Sequence, residues 1–409
     1  MPSRFGWVDF AEEDRQQMLE VVRLFREQET RDELGILTIW DALANHFFPG
    51  TSTIQTRARY MLFIPWIYLG LEEKEVSSAE IAGRARNAEI RLLNVLLASE
   101  DTEGVIGKEA RESLLRLPSS IYWAGLGVWG IRLFPGSQGQ YHRHLDAWHR
   151  WRSGVMLTDD GEPVACSMRE NWDRGLPEPP DNLMEKATVA LTREESQYLQ
   201  DHILEIHPGT FLAELVSAST HYEAEFPWNH PLAAEVPEPL RSEIVHARHF
   251  SDTIHGAALL YNLMLAEARH HAEWIEDYRS RLAAWAKELG ERWLELSSWH
   301  TDISTFWHSR PLDRSRIPAG TKRFVTDWLR LLFEGAGPSG VATDASARRL
   351  ISLREERLKG ARARLKNPRA LELWQGAAGT HRLDFRWGKV TVLVADILKG
   401  LGRRGAADA

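Results

Sequence analysis

Two arginines separated by a single residue, Arg57 and Arg59, follow a run of small hydroxyl residues, an arrangement suited to holding an anion. Thr51, Ser52 and Thr53 offer oxygens that can cap a helix start, and Gln55, Arg57 and Arg59 would then lie within its first turns. Such a terminus attracts phosphate through unpaired amides and its dipole, and guanidinium groups add charge-assisted bonds. The same arginines could instead pair with carboxylates such as Asp41 or Glu72 and fix a helical hairpin.

A second group lies between Ala345 and Lys366. Arg348, Arg349, Arg354, Arg357, Lys359, Arg362, Arg364 and Lys366 surround an apolar strip of Ile351, Leu358 and Leu365. A helix of this kind can follow a phosphate backbone, with affinity that falls as salt rises. A charged face is also the ordinary solvated face of a helix. From Asp344 to Ala409 there are 15 lysines and arginines against 7 acids, a net of +8, so the rest of the chain carries −16. A basic end on an acidic body can meet a polyanion or pair with its own body.

Three further sets bear on chemistry. Arg248, His255 and Asn262 recur every seven residues on an Ala- and Leu-rich segment, a polar seam that could fix register or line a pocket. His142, His144 and His149, with Asp146, carry metal-ligating atoms, but without the paired spacing of a zinc protease or zinc finger. No phosphate loop, nucleophile elbow or dinucleotide fingerprint is present, so no catalytic residue, resident metal or cofactor is assigned.

The elements that must position these groups are mainly helical. The 409 residues exceed one ordinary core, and the composition, 43% hydrophobic and 26% charged, is that of a globular chain. No apolar run approaches the roughly 18 residues that span a bilayer. The amino-terminal sequence lacks the pattern of a secretory signal, and a single cysteine, Cys166, excludes an internal disulfide. The cytoplasm is the expected compartment. Seventeen tryptophans point to extensive helix packing or partner contacts.

Apolar spacing predicts helices over 9–26, 36–48 (stopped by Pro49-Gly50), 78–98, 108–117, 121–133, 194–205 and 210–219. It also predicts a helix that starts at Thr51 to Thr53 and is kinked or ended by Pro65, and a very long one over 239–288. Further helices are expected near 291–296, 322–333, 345–366 and 390–401, and Thr192 with Glu195 forms a capping box. Gly- and Pro-rich composition marks 135–180 as an irregular or hairpin insertion. The expected division is an amino-terminal helical domain with helix-turn-helix-like hairpins (1–135), a loop-rich connection (136–190), a central helical domain (191–334) and a basic carboxy-terminal region (335–409).

Several blocks also carry a resemblance. They are the FGWVDF motif at Phe5 to Phe10, FFPGTSTIQTRARY at Phe47 to Tyr60, LPSSIYW at Leu117 to Trp123, IHGAALLYN at Ile254 to Asn262, and Asn367-Pro368-Arg369. Together these resemble a bacterial family classified only as a domain of unknown function, over essentially the whole chain. Its members tend to be encoded beside helicases and phospholipase-D-like nucleases in anti-phage defence islands. The resemblance thus implies a helicase or nuclease subunit as partner, and it supplies no catalytic residues. The expected role is that of a non-catalytic accessory protein touching a partner and a nucleic acid backbone, with DNA as the candidate and no membrane contact. The alternatives are a pure protein scaffold or regulator and, third, a metal-dependent hydrolase built on the His142 cluster.

Overall fold

The computed structural model describes residues 32–153 and 170–403. The expected helix over 9–26, the Phe5 to Phe10 motif and Cys166 lie outside the described residues. The main helices are α1 (Leu37–Phe47), α2 (Tyr60–Glu73), α3 (Ile81–Leu97), α4 (Pro118–Val128), α5 (Gln138–Arg152), α6 (Arg193–Ile206) and α7 (Phe211–Ser217). They continue with α8 (Leu240–Ala268), α9 (Ala272–Glu291), α10 (Trp293–Thr301), α11 (Ala319–Glu334), α12 (Ala345–Lys359) and α13 (Trp387–Gly400). Among the described residues there is no strand, only one isolated antiparallel bridge between Arg132 and Trp172.

The chain forms two compact units that are discontinuous in sequence, residues 1–43 with 245–383 and residues 44–244 with 384–409. The sequential divisions at 135, 190 and 334 do not coincide with them. In the unit of 44–244 and 384–409, α2 is the central element. Every residue from Tyr60 to Tyr68 is buried, as befits a helix apolar on all sides that packs against α3 and α4. Pro65 neither starts nor ends this helix, which runs on to Glu73. Its carboxy-terminal helix α13 packs on α6 and α7, where Trp387 stacks on Phe211 at 6.0 Å.

In the other unit, α8 and α9 approach closely because Gly256 leaves room for Trp285. A Cβ built at Gly256 would lie 2.2 Å from the indole, whose Nε1 donates to the Asp252 carbonyl at 2.8 Å. The expected helix over 239–288 is two helices. His270 takes φ +53, which an α-helix cannot contain, and the His271 ring then caps α9 by accepting from the Trp274 amide.

Other expectations are also corrected. Thr51 and Ser52 do not start a helix, because residues 51–59 form a loop and α2 begins at Tyr60. The connection between α1 and α2 therefore runs from 48 to 59, too long for a helix-turn-helix. The 108–117 helix is reduced to one 3-10 turn at Arg111–Ser113. The 135–180 stretch holds no hairpin among its described residues. Its first part is α5, started by a capping box of Ser137 and Gln140 that the surrounding glycines obscure. The basic helix stops at Lys359, where Gly360 takes φ +55.

Gly256→Val should overpack the α8–α9 contact and destabilise the protein by about 1–3 kcal/mol, read as a lowered midpoint in urea. An unchanged midpoint would show that the indole moves aside at no cost.

Candidate functional site

The loop of 51–59 is held almost entirely by its own chain. Gly50 turns the backbone at φ +77 with Trp129 against it, and the Thr51 hydroxyl donates to the Phe48 carbonyl at 2.7 Å. Gln55 closes the loop, accepting from the Ser52 amide at 3.0 Å and donating to the Gly50 carbonyl at 3.1 Å. The Tyr122 hydroxyl accepts from the amides of Thr56 and Arg57 at 2.8 and 3.1 Å and donates to the Arg57 carbonyl at 2.8 Å.

Both arginines bond within this unit, although the buried Nε of Arg59 has no hydrogen-bond partner among the described residues. Arg57 Nε donates to both oxygens of Asp396 at 3.1 and 3.0 Å, and its Nη1 to Asp101 and the Glu103 carbonyl, each at 3.0 Å. Asp396 Oδ2 also accepts from the Ala58 amide at 2.9 Å, so a carboxylate from α13 satisfies the entry to α2. Burial raises the Asp396 pKa, and the bond from Arg57 opposes that shift. Arg59 donates to the Thr188 carbonyl at 2.8 Å and to Glu195 at 2.6 Å, with its guanidinium over Phe63. Glu195 is the capping-box residue of α6, and its other oxygen takes the Thr192 amide at 2.9 Å. Neither Asp41 nor Glu72 is the partner expected from spacing. Glu72 instead accepts from the Tyr141 hydroxyl, Asn171 and Trp172.

The basic group of the other unit divides in two. Arg354 is buried and donates to the carbonyls of Leu34 and Gly35 at 2.8 and 3.1 Å and to Thr321 at 2.9 Å. Lys359 and Arg364 both bind Glu33, and Arg348 binds Glu267. Glu355, fully buried, accepts the Tyr261 hydroxyl at 2.5 Å and the amides of Arg364 and Leu365 at 2.8 and 3.0 Å. Lys366 pairs with Glu356 at 2.6 Å on the surface. Arg349, Arg357 and Arg362 are exposed.

The polar seam clasps a segment of its own unit. Asn262 accepts from the Ala378 amide at 2.8 Å and donates to the Ala378 carbonyl at 2.7 Å. His255 Nε2 meets the Thr380 carbonyl at 3.1 Å, and burial with Arg382 nearby lowers its pKa to about 4, so the neutral ring donates that bond. Arg248 lies apart from this clasp, 3.9 Å from Asp252. Of the two seam readings, positional locking matches the geometry of Asn262 and His255.

The histidines on α5 are engaged separately. His142 meets the Tyr68 hydroxyl at 3.0 Å and burial lowers its pKa to about 4; His144 packs on Phe134, and His149 meets the Val76 carbonyl at 3.2 Å. Asp146 accepts from the Ser78 amide at 2.7 Å. Among the described residues no three His, Cys, Asp or Glu side chains are grouped to hold a metal ion.

One titratable group escaped the sequence reading. Glu89 on α3 caps the start of α4, accepting the Ser119 amide at 2.8 Å and the Ser119 hydroxyl at 2.7 Å. Among the described residues no cation bonds it, and burial pushes its pKa up to about 7. Its helical position among Leu92, Leu93 and Leu96 was the available signal. Taken together, these arrangements position buried charge.

The model of a family described only as a family of unknown function, DUF6361, matches residues 2–399. No curated protein and no solved structure matches the chain.

Two consequences can be measured. Glu195→Ala strands a buried guanidinium and removes a cap, and should cost about 3–5 kcal/mol of stability; a loss below about 1 kcal/mol would mean that Arg59 is solvated. Glu89 has a folded pKa above its ordinary value of 4.5, so its contribution is fully present below that pH and lost as pH rises through about 7. Glu89→Gln should flatten that loss, worth up to about 3 kcal/mol between pH 5 and 8. Parallel pH–stability curves for the two proteins would contradict it.

Proposed function

We propose that this chain, which belongs to the family of unknown function DUF6361, acts without catalysis as a helical scaffold or regulator that docks a partner protein. The observation that carries this reading is the internal neutralisation of the cations best suited to phosphate. Arg57 is committed to Asp396 and Asp101, Arg59 to Glu195, and Lys359 with Arg364 to Glu33. An external phosphate would have to displace a buried carboxylate from each, leaving that carboxylate unpaired at a cost of several kcal/mol. The resemblance supplies the setting, a cytoplasmic anti-phage defence or DNA-processing system with a helicase or phospholipase-D-like nuclease as the partner.

A second reading keeps a specific observation in its favour. Arg349 and Arg357 are exposed on α12, with Arg362 and Lys366 exposed beyond it, and such a face can lie along a nucleic acid backbone.

Titration of the full chain with labelled duplex DNA at two salt concentrations separates the readings. The scaffold expectation is weak binding that Arg349→Glu, Arg357→Glu and Arg362→Glu together leave unchanged, and co-purification with a co-expressed helicase or nuclease subunit. Tight binding whose salt slope drops by about one per arginine removed would overturn it in favour of backbone contact.

A further inference from the structure

From Gly130 to Ser153 the chain carries four arginines against one acid, a net of +3 in a chain whose net charge is −8. Two of the four are used in the fold. Arg132 donates through Nη1 to the Phe134 carbonyl and to the Gly136 carbonyl at 3.1 Å, and through Nε to the Trp123 carbonyl at 3.1 Å. Arg152 lies over the Trp148 ring at 5.3 Å. Arg143 and Arg150, seven apart on α5, are exposed, and no carboxylate pairs with either among the described residues. Asp146, the one acid of the stretch, accepts from the amide and hydroxyl of Ser78 instead.

Arg143 differs from Arg150 because it lines an open cleft of about 530 Å³, with Phe134, Pro135, Gly136, Gln140 and His144. That volume lies within the roughly 300–1,000 Å³ of small-molecule sites. The space depends on a glycine. A Cβ at Gly136 would lie 2.5 Å from the Phe134 ring and 2.9 Å from Gln140 Oε1. The backbone there is not left-handed, so room and not conformation calls for glycine.

The walls are held before any ligand arrives. Arg132 and the Trp123 indole, which donates to the Gly136 carbonyl at 3.0 Å, clamp the turn of 134–136. Gln140 Oε1 accepts from the Ser137 amide at 2.7 Å, which fixes the side chain and leaves its Nε2 open. Phe134 and Pro135 supply apolar surface, and His144 packs on Phe134 at 5.3 Å. The lining holds a guanidinium and no carboxylate.

We infer that this cleft binds a small organic phosphate bearing a flat ring, of the nucleoside monophosphate class. The Arg143 fork takes two phosphate oxygens, Gln140 Nε2 donates to a third, and the ring lies against Phe134 and Pro135. The held walls keep the entropy cost of binding low. This goes beyond the scaffold reading, because it gives the regulator a ligand without involving the partner.

Isothermal titration calorimetry on the full chain tests it with the four common nucleoside 5′-monophosphates, their nucleosides, inorganic phosphate and benzoate. At least one monophosphate should bind about tenfold or more tighter than its nucleoside, phosphate or benzoate, which is about 1.4 kcal/mol. Arg143→Gln should weaken that monophosphate at least about tenfold and leave the nucleoside unchanged. Arg143→Lys keeps the charge without the fork and should weaken it several-fold. Arg150→Gln, on the same helix outside the cleft, should stay within about twofold. The melting temperatures of these variants should equal that of the parent protein, since both arginines are exposed.

Absence of monophosphate binding overturns the inference, as does phosphate or benzoate binding equally well. An equal loss from Arg150→Gln would mean diffuse attraction to a basic helix, and a lowered melting temperature for Arg143→Gln would make Arg143 a structural residue. Binding of DNA alone, lost with Arg143→Gln, would replace the ligand by a backbone contact. Failure of the scaffold reading is seen separately, as salt-dependent DNA binding through α12 that Arg143→Gln leaves intact.

Discussion

The unit built from residues 44–244 and 384–409 depends on the bond between Arg57 and Asp396, partners 339 residues apart. Asp396 sits on the buried face of its helix among Val390, Leu393, Val394 and Ile397, where an unpaired carboxylate would be costly. Arg57 makes it tolerable, and Asp396 in turn receives the backbone at the entry to α2. The carboxy-terminal helix is thereby fixed to the loop that precedes the most buried helix of the unit. Arg59 repeats the device two residues on, with Glu195 serving as both counter-ion and helix cap.

The same rule organises the unit of 1–43 and 245–383. Glu33 and Glu355 are buried, and Lys359, Arg364, the Tyr261 hydroxyl and two backbone amides converge on them. These bonds gather the chain beyond Gly360 onto the helices beneath, and Asn262 and His255 do the same for residues 378–380 through main-chain atoms. Such buried pairs are weak evidence for net stability, since hydrophobic replacements often do as well, but breaking one partner is costly. Their effect is to specify one arrangement of long connections that helix propensity leaves undetermined.

This constraint also decides where function can reside. Charges locked inside each unit, such as Lys359 and Arg364 on Glu33, are removed from contact with outside molecules. Other cations of the carboxy-terminal end are exposed among the described residues, Arg349 and Arg357 on α12 and Arg369, Lys389 and Lys399 beyond it.

The helical class, most helix spans and the local stops and caps, such as the turn at Gly50 and the capping box of Thr192 with Glu195, are legible in the amino-acid order. Those features depend on neighbours within a few residues, which spacing and side-chain type encode. It also marked Arg57, Arg59 and the seam residues as consequential. Tertiary structure alone decided that residues 51–59 form a loop and that His270 breaks the long helix. It alone chose Asp396 and Glu195 over Asp41 and Glu72 as counter-ions. The reason is that a charge finds whichever opposite charge the packing brings within about 3 Å, and that choice is made by helices far apart in the chain.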